Sequence, residues 1–145
     1  PDQILNYLNK LSGPLLDRID IQVAVPRETS SLRLDGTQVT GETSEQMKQR
    51  VIAARQQQYR RQGCLNSELK ASEVVSHCML TDADHEFLIT AIEKLKLSHR
   101  AYHRTLRLAR SIADLDNQKK VQKPHLAEAM GYRALDQLID QVRSL

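Results

Sequence analysis

The sequence predicts a mainly α-helical protein, and three observations carry that reading. Aromatic residues fill only 3% of the 145 positions, with no Trp and Phe87 as the single phenylalanine, whereas all-β cores lean on aromatic and β-branched side chains. Five Gly and four Pro are too few to turn a many-stranded chain. From Thr43 onward, capping residues, stop residues and apolar spacing recur with helical period. The N-terminal stretch is the exception, where a short helix and one strand are expected ahead of the helical part.

In chain order, Pro14 suits the first turn of that short helix, because its missing N–H is not needed there. Ile19, Ile21, Val23 and Val25 alternate with Asp20, Gln22 and Ala24, the period of a strand with one well-buried face. Pro26 ends it, since proline cannot donate to a ladder. Residues 27–42 are polar, contain Gly36 and Gly41, and read as a loop. A lone strand is not stable, and no partner for it is evident downstream, so the rest of its sheet is expected outside this chain. The start at Pro1 rather than Met agrees with that expectation. Residues 1–42 and 43–145 are therefore read as two units.

Thr43 and Gln46 form a capping box, and Gly63 stops the helix they open. Its inner stripe of Met47, Val51, Ala54 and Gln58 is thin for so long a helix. A shorter helix follows around 67–78. Thr81 and Asp84 cap another, with Phe87, Leu88, Ala91, Ile92 and Leu95 as a broad apolar face. Ser98 opens a helix reaching Leu115. Pro124 begins a last one that is expected to run through Val142 with a bend at Gly131.

Composition excludes several functions. The 21 Lys and Arg exceed the 18 Asp and Glu by only three charges, which does not by itself mark a nucleic-acid binder. No apolar run approaches the roughly 18 residues of a membrane span, and no signal peptide is evident, so a cytoplasmic location is the default. Cys64 and Cys78 are too few for a disulfide framework. With His77 and His85 they lack metal-ligand spacing, and no metal site is expected. Gly36 to Thr43 has the spacing of a phosphate loop, but Glu42 stands where lysine should neutralise phosphate, so that reading is rejected. No nucleophile–base arrangement has a recognisable local signature.

The informative helix is 98–115. At about 100° per residue, Arg100, Arg104 and Arg107 form one stripe, with Arg110, His99 and His103 on its flank. Ala101, Thr105, Leu108, Ala109, Ile112 and Leu115 take the opposite side. Guanidinium groups are suited to phosphate because they remain charged and donate in a fork. Arg100 also lies in the first turn, where free N–H groups favour an anion. The plainer reading is a solvated basic face. Arg18, just ahead of the strand, either reaches a neighbouring molecule or pairs locally with Asp17 or Asp20.

The segment from Tyr7-Leu8 and Leu11-Ser12-Gly13-Pro14-Leu15-Leu16-Asp17-Arg18-Ile19-Asp20-Ile21 resembles the end of the AAA+ core in magnesium-chelatase-related ATPases of the YifB/ComM type. Gly41-Glu42-Thr43-Ser44, Arg50-Val51, Ala54-Arg55-Gln56 and Leu97-Ser98-His99-Arg100-Ala101-Tyr102-His103-Arg104 follow in the same order. Arg110 to Leu115, His125 to Ala129 and Tyr132-Arg133 close the set. The likeness covers nearly the whole chain, although Ser111 stands where the family often has Thr and the 29–40 loop is variable.

The resemblance implies an end of the AAA+ core over 1–42 and a helical lid bundle over 43–145. It implies that Arg18 is the arginine finger acting in trans, that Arg100 is the sensor-2 arginine, and that Arg104 is a further nucleotide contact or serves the lid–core interface. ATP and Mg2+ are then the parent's cofactors, with none expected for this chain alone, because the Walker motifs of such proteins lie upstream of the matched region. The implied partners are the upstream core, a homo-oligomeric ring (a hexamer) and DNA remodelled during natural transformation; no membrane is implied. Two other readings stay open: a DNA- or protein-binding module using the basic 99–110 face, and a chelatase-like ATPase subunit.

Overall fold

The computed structural model describes residues 18–23, 25, 41–95 and 97–132. Among them are five α-helices: α1 (Ser44–Gln62), α2 (Ala71–Cys78), α3 (Asp82–Lys94), α4 (His99–Leu115) and α5 (Lys123–Gly131). A 3-10 turn, Asn66–Glu68, joins α1 to α2. None of these helices is long and apolar enough to cross a membrane.

The helix starts follow local chemistry. Thr43 Oγ1 accepts from Gln46 N at 3.3 Å while Gln46 Oε1 accepts from Thr43 N at 2.9 Å, closing the expected capping box. Gly63 ends α1 at φ 76°, a left-handed conformation that glycine adopts without a Cβ penalty. Thr81 caps α3 through Asp84 N, and Ser98 caps α4 through Ala101 N. Asp84 has a second task, since its Oδ1 accepts from Lys123 N at 3.0 Å. An α3 carboxylate thereby supports the N-terminus of α5. Lys123 Nζ also lies 4.8 Å from the centre of the Phe87 ring.

The bundle is organised round α4. Helices α1, α2 and α5 all pack against it, and α3 rests on α5. Leu106, Ala109, Ile112 and Ala113 of α4 meet Val74 and Cys78 of α2, Leu88 of α3, and Leu126 and Ala129 of α5 in one core. Small and branched aliphatic side chains allow these close approaches, so the low aromatic content does not leave the core short of apolar area.

Four expectations are adjusted. The helix expected around 67–78 is divided into the 3-10 turn and α2. Helix α5 ends at Gly131, with Tyr132 as its cap; the remainder of the stretch expected to reach Val142 lies outside the described residues, as does the short helix at Pro14. Met47 and Val51 are each 48% exposed, so the inner stripe of α1 is buried only at Ala54 and Gln58. The strand shows its alternation with the opposite burial. Gln22 is buried, whereas Ile19, Ile21, Val23 and Val25 are exposed, up to 86% at Val25. Gln22 makes an isolated bridge rather than a ladder, with its N–H donating to Tyr132 O at 2.7 Å. The apolar face lacks a covering sheet among the described residues, which is why its side chains face outward.

Candidate functional site

The site is built on α4, whose arginines separate into distinct roles. Arg100 is exposed in the first turn and makes no hydrogen bond or ion pair among the described residues. Arg104 is partly buried. It pairs with the Asp20 carboxylate through Nε and donates from Nη2 to Arg18 O at 2.7 Å. Arg107 donates from Nη2 to Leu69 O at 2.7 Å, tying α4 to the approach of α2. Arg110 is wholly buried. Its Nη2 donates to Asp114 Oδ1 at 2.9 Å and to Gln118 O at 2.6 Å, and its Nη1 donates to Lys119 O at 2.9 Å.

This corrects the exposed basic face expected on α4: of its stripe only Arg100 is left without a partner among the described residues, and Arg110 does not lie on an open flank. Arg110 belongs to the core, and Leu115, expected inside, is 42% exposed. The buried face is rotated to take in Leu106, Arg110, Ala113 and Asp114. Arg110 and Asp114 lie four residues apart and neutralise each other, so the pair can enter the core where either alone could not.

Asp114 is the centre of a polar cluster that sequence patterning did not identify. Its side chain is fully buried. Arg61 reaches it from α1 in a fork, at 2.6 Å and 3.0 Å. Asn66 Nδ2 donates to it at 2.9 Å and to Ser111 Oγ at 3.0 Å. Gln58 Oε1 accepts from Asn66 N at 3.0 Å. The carboxylate therefore joins α1, the 3-10 turn and α4, and Arg110 extends the cluster to the loop before α5. Burial pushes the Arg110 guanidinium downward and Asp114 pulls it back up. The one local signal was an Arg-x-x-x-Asp pair among small apolar residues; the contributions of Arg61 and Asn66 come from 53 and 48 residues away.

Rings gather near Arg100. Tyr102 Oη lies 3.0 Å from His85 Nε2, and the His99 and His103 rings are 5.0 Å apart. Burial, then His99 and Arg107, holds His103 below the usual histidine range. Burial pushes the Cys78 thiol up to about 12, leaving it protonated. No group of three or more His, Cys, Asp or Glu with metal-binding geometry occurs among the described residues. At the rejected phosphate loop, Glu42 pairs with Arg50 at 2.9 Å and Thr43 caps α1; residues 36–40 lie outside the described set.

Arg18 is exposed and its carbonyl lies under Arg104. Asp20, one of the two local partners considered for Arg18, is engaged by Arg104; Asp17 lies outside the described residues. Arg104 is one helical turn from Arg100, about 6 Å along the axis. The structure thus ties the Arg18 segment and Arg100 to the same end of α4.

Comparison with known proteins matches the chain to a family. The family described as magnesium chelatase, subunit ChlI C-terminal, matches residues 41–133, and that described as magnesium chelatase, subunit ChlI, matches residues 1–32. The chain is 44% identical over all 145 residues to the competence protein ComM of Haemophilus influenzae, covering 28% of that protein. It is 43% identical over the same length to the uncharacterized protein YifB of Escherichia coli, again covering 28% of the relative. An uncharacterized protein of Mycobacterium bovis is 36% identical over 132 residues, with 88% of this chain and 25% of the relative covered. The chain thus spans about a quarter of the length of these relatives. It belongs to the magnesium chelatase, subunit ChlI C-terminal family, and is a magnesium-chelatase-related protein of the ComM/YifB type.

Proposed function

We propose that this chain is the lid of an ATP-hydrolysing AAA+ motor. In this reading Arg100 contacts the nucleotide of its own subunit and Arg18 reaches the γ-phosphate held by a neighbour in a ring. One observation carries the assignment to Arg100: it is the only one of the four α4 arginines left without a partner among the described residues. A guanidinium kept at a helix N-terminus, with backbone N–H groups beside it, fits a phosphate oxyanion. Arg18, at an exposed turn before the bridge residue Gln22, suits contact with a second molecule and would offset charge that develops during phosphoryl transfer.

ATP and Mg2+ would be bound mainly by an upstream core, and the ring would be a hexamer. The competence protein among the relatives favours DNA as the remodelled substrate over the porphyrin chemistry of chelatases. A binding module on the 99–110 face is less well supported, because Arg104, Arg107 and Arg110 make internal contacts.

In a full-length ComM-type protein carrying this segment, Arg18→Ala should abolish ATP hydrolysis while ATP affinity, measured by calorimetry, stays within about twofold. Loss of an arginine finger removes about 10³-fold or more of turnover. Hydrolysis that persists while DNA affinity falls would replace this reading with the binding-module one.

A further inference from the structure

The grip of Arg104 on the turn at residues 18–20 gives this arginine a role apart from nucleotide contact. Its Nε pairs with the Asp20 carboxylate, and its Nη2 donates to Arg18 O at 2.7 Å. The third nitrogen, Nη1, is buried and has no hydrogen-bond partner among the described residues. Two of the three are therefore committed to the 18–20 turn, and the side chain is only 14% exposed, unlike that of Arg100, which is exposed and has no partner among the described residues. Two residues beyond Asp20, the Gln22 N–H donates to Tyr132 O at 2.7 Å, where α5 has just ended. The short segment 18–22 is thus fastened at one end to α4 and at the other to the end of α5. Apolar contact does little of this fastening, because Ile19 and Ile21 are 40% and 51% exposed.

We propose that Arg104 is a positioning residue that couples the lid helix to Arg18. By holding the Arg18 carbonyl and the Asp20 carboxylate one turn from Arg100, it makes the two nucleotide arginines move as one body. A shift of α4 that follows a change at the nucleotide near Arg100 is carried through the Arg104 guanidinium to the backbone of the residue directed at the neighbour's nucleotide. A forked guanidinium suits this task because it constrains orientation as well as distance. The proposal rests on the reading of Arg18 and Arg100 given above.

Hydrogen exchange on the 145-residue chain tests the coupling without any nucleotide. Arg104→Ala should speed exchange of the amides at 20–23 by roughly tenfold, the loss of charge-assisted bonds, while amides 106–113 of α4 keep their protection. Asp20→Ala removes the partner carboxylate without touching the helix and should speed the same amides. Unchanged exchange at 20–23 in both variants overturns the proposal.

In the full-length protein, Arg104→Ala should lower kcat with ATP affinity unchanged. Its effect should not add to that of Arg18→Ala, since both act through the same group. Arg104→Lys should recover less than half of the loss, because an ammonium cannot bridge both oxygens in a fixed fork. A drop in ATP affinity instead would make Arg104 a nucleotide ligand and refute the positioning role. Failure of the underlying reading has another signature: Arg18→Ala leaves turnover intact while the exchange effect at 20–23 persists.

Discussion

Replacing Asp114 by asparagine should be among the most damaging conservative changes in the chain. The carboxylate is fully buried and accepts from Arg61 at 2.6 Å and 3.0 Å, from Asn66 at 2.9 Å and from Arg110 at 2.9 Å. Asparagine keeps one acceptor oxygen and puts an NH2 among groups that can only donate. It also removes the one negative charge facing Arg110, whose side chain has no exposed surface. Arg110 would retain the carbonyls of Gln118 and Lys119, which solvate it only in part. Removing one partner from a buried pair costs about 3–5 kcal/mol, against about 1 kcal/mol for an ordinary hydrogen bond.

Urea unfolding followed by far-ultraviolet circular dichroism should therefore show a midpoint lowered by about 2 M, for a slope of roughly 2 kcal/mol per molar. Arg61→Ala should cost less, because Arg61 is 20% exposed and Asp114 keeps Arg110. The double change Arg110→Met with Asp114→Leu should recover much of the loss, since an apolar pair leaves no buried charge. A loss below about 1 kcal/mol for Asp114→Asn would refute the argument that this carboxylate compensates Arg110.

The thiols and the ring cluster offer two further tests. Under native conditions iodoacetamide should modify half-buried Cys64 and leave Cys78, which is 0% exposed and held near 12, until unfolding; equal rates would contradict the packing of α2 on α4. His103 lies below its ordinary value of 6.5 in the folded chain, so the unfolded chain takes up this proton first as pH falls. Its contribution to stability is full above about pH 6.5 and is lost as pH falls through the lower folded value. The urea midpoint should decline below pH 6.5, and His103→Gln should flatten that decline; an unaltered slope in the variant would show that this ring is not responsible.

Local signals accounted for much of the fold and less of the site. Thr43, Gly63, Thr81 and Ser98 each mark a boundary because capping depends on residues three or four positions away. The 19–25 stretch was legible as an alternation, yet its burial was not, since exposure depends on what lies against each face. Arg100 stood out because its place in a first turn is written in Ser98 and the residues that follow. The different fates of Arg104, Arg107 and Arg110 were not legible, because Arg104 and Arg107 share a stripe with Arg100, Arg110 lies on its flank, and only the packing of the neighbouring segments separates buried from exposed.

The sequence by itself determined where α1, α3 and α4 begin, where α1 stops, the dominance of α structure and the likeness to a magnesium-chelatase-related family. Helical period, caps and stops act over a few residues and need no partner to be read. Only the tertiary structure decided that Arg110 and Asp114 belong to the core, that Arg61 and Asn66 complete their cluster, and that Arg104 holds the Arg18 turn. Those outcomes depend on groups brought together across 86 residues in the last case. A buried charge is tolerated only where such distant partners converge on it.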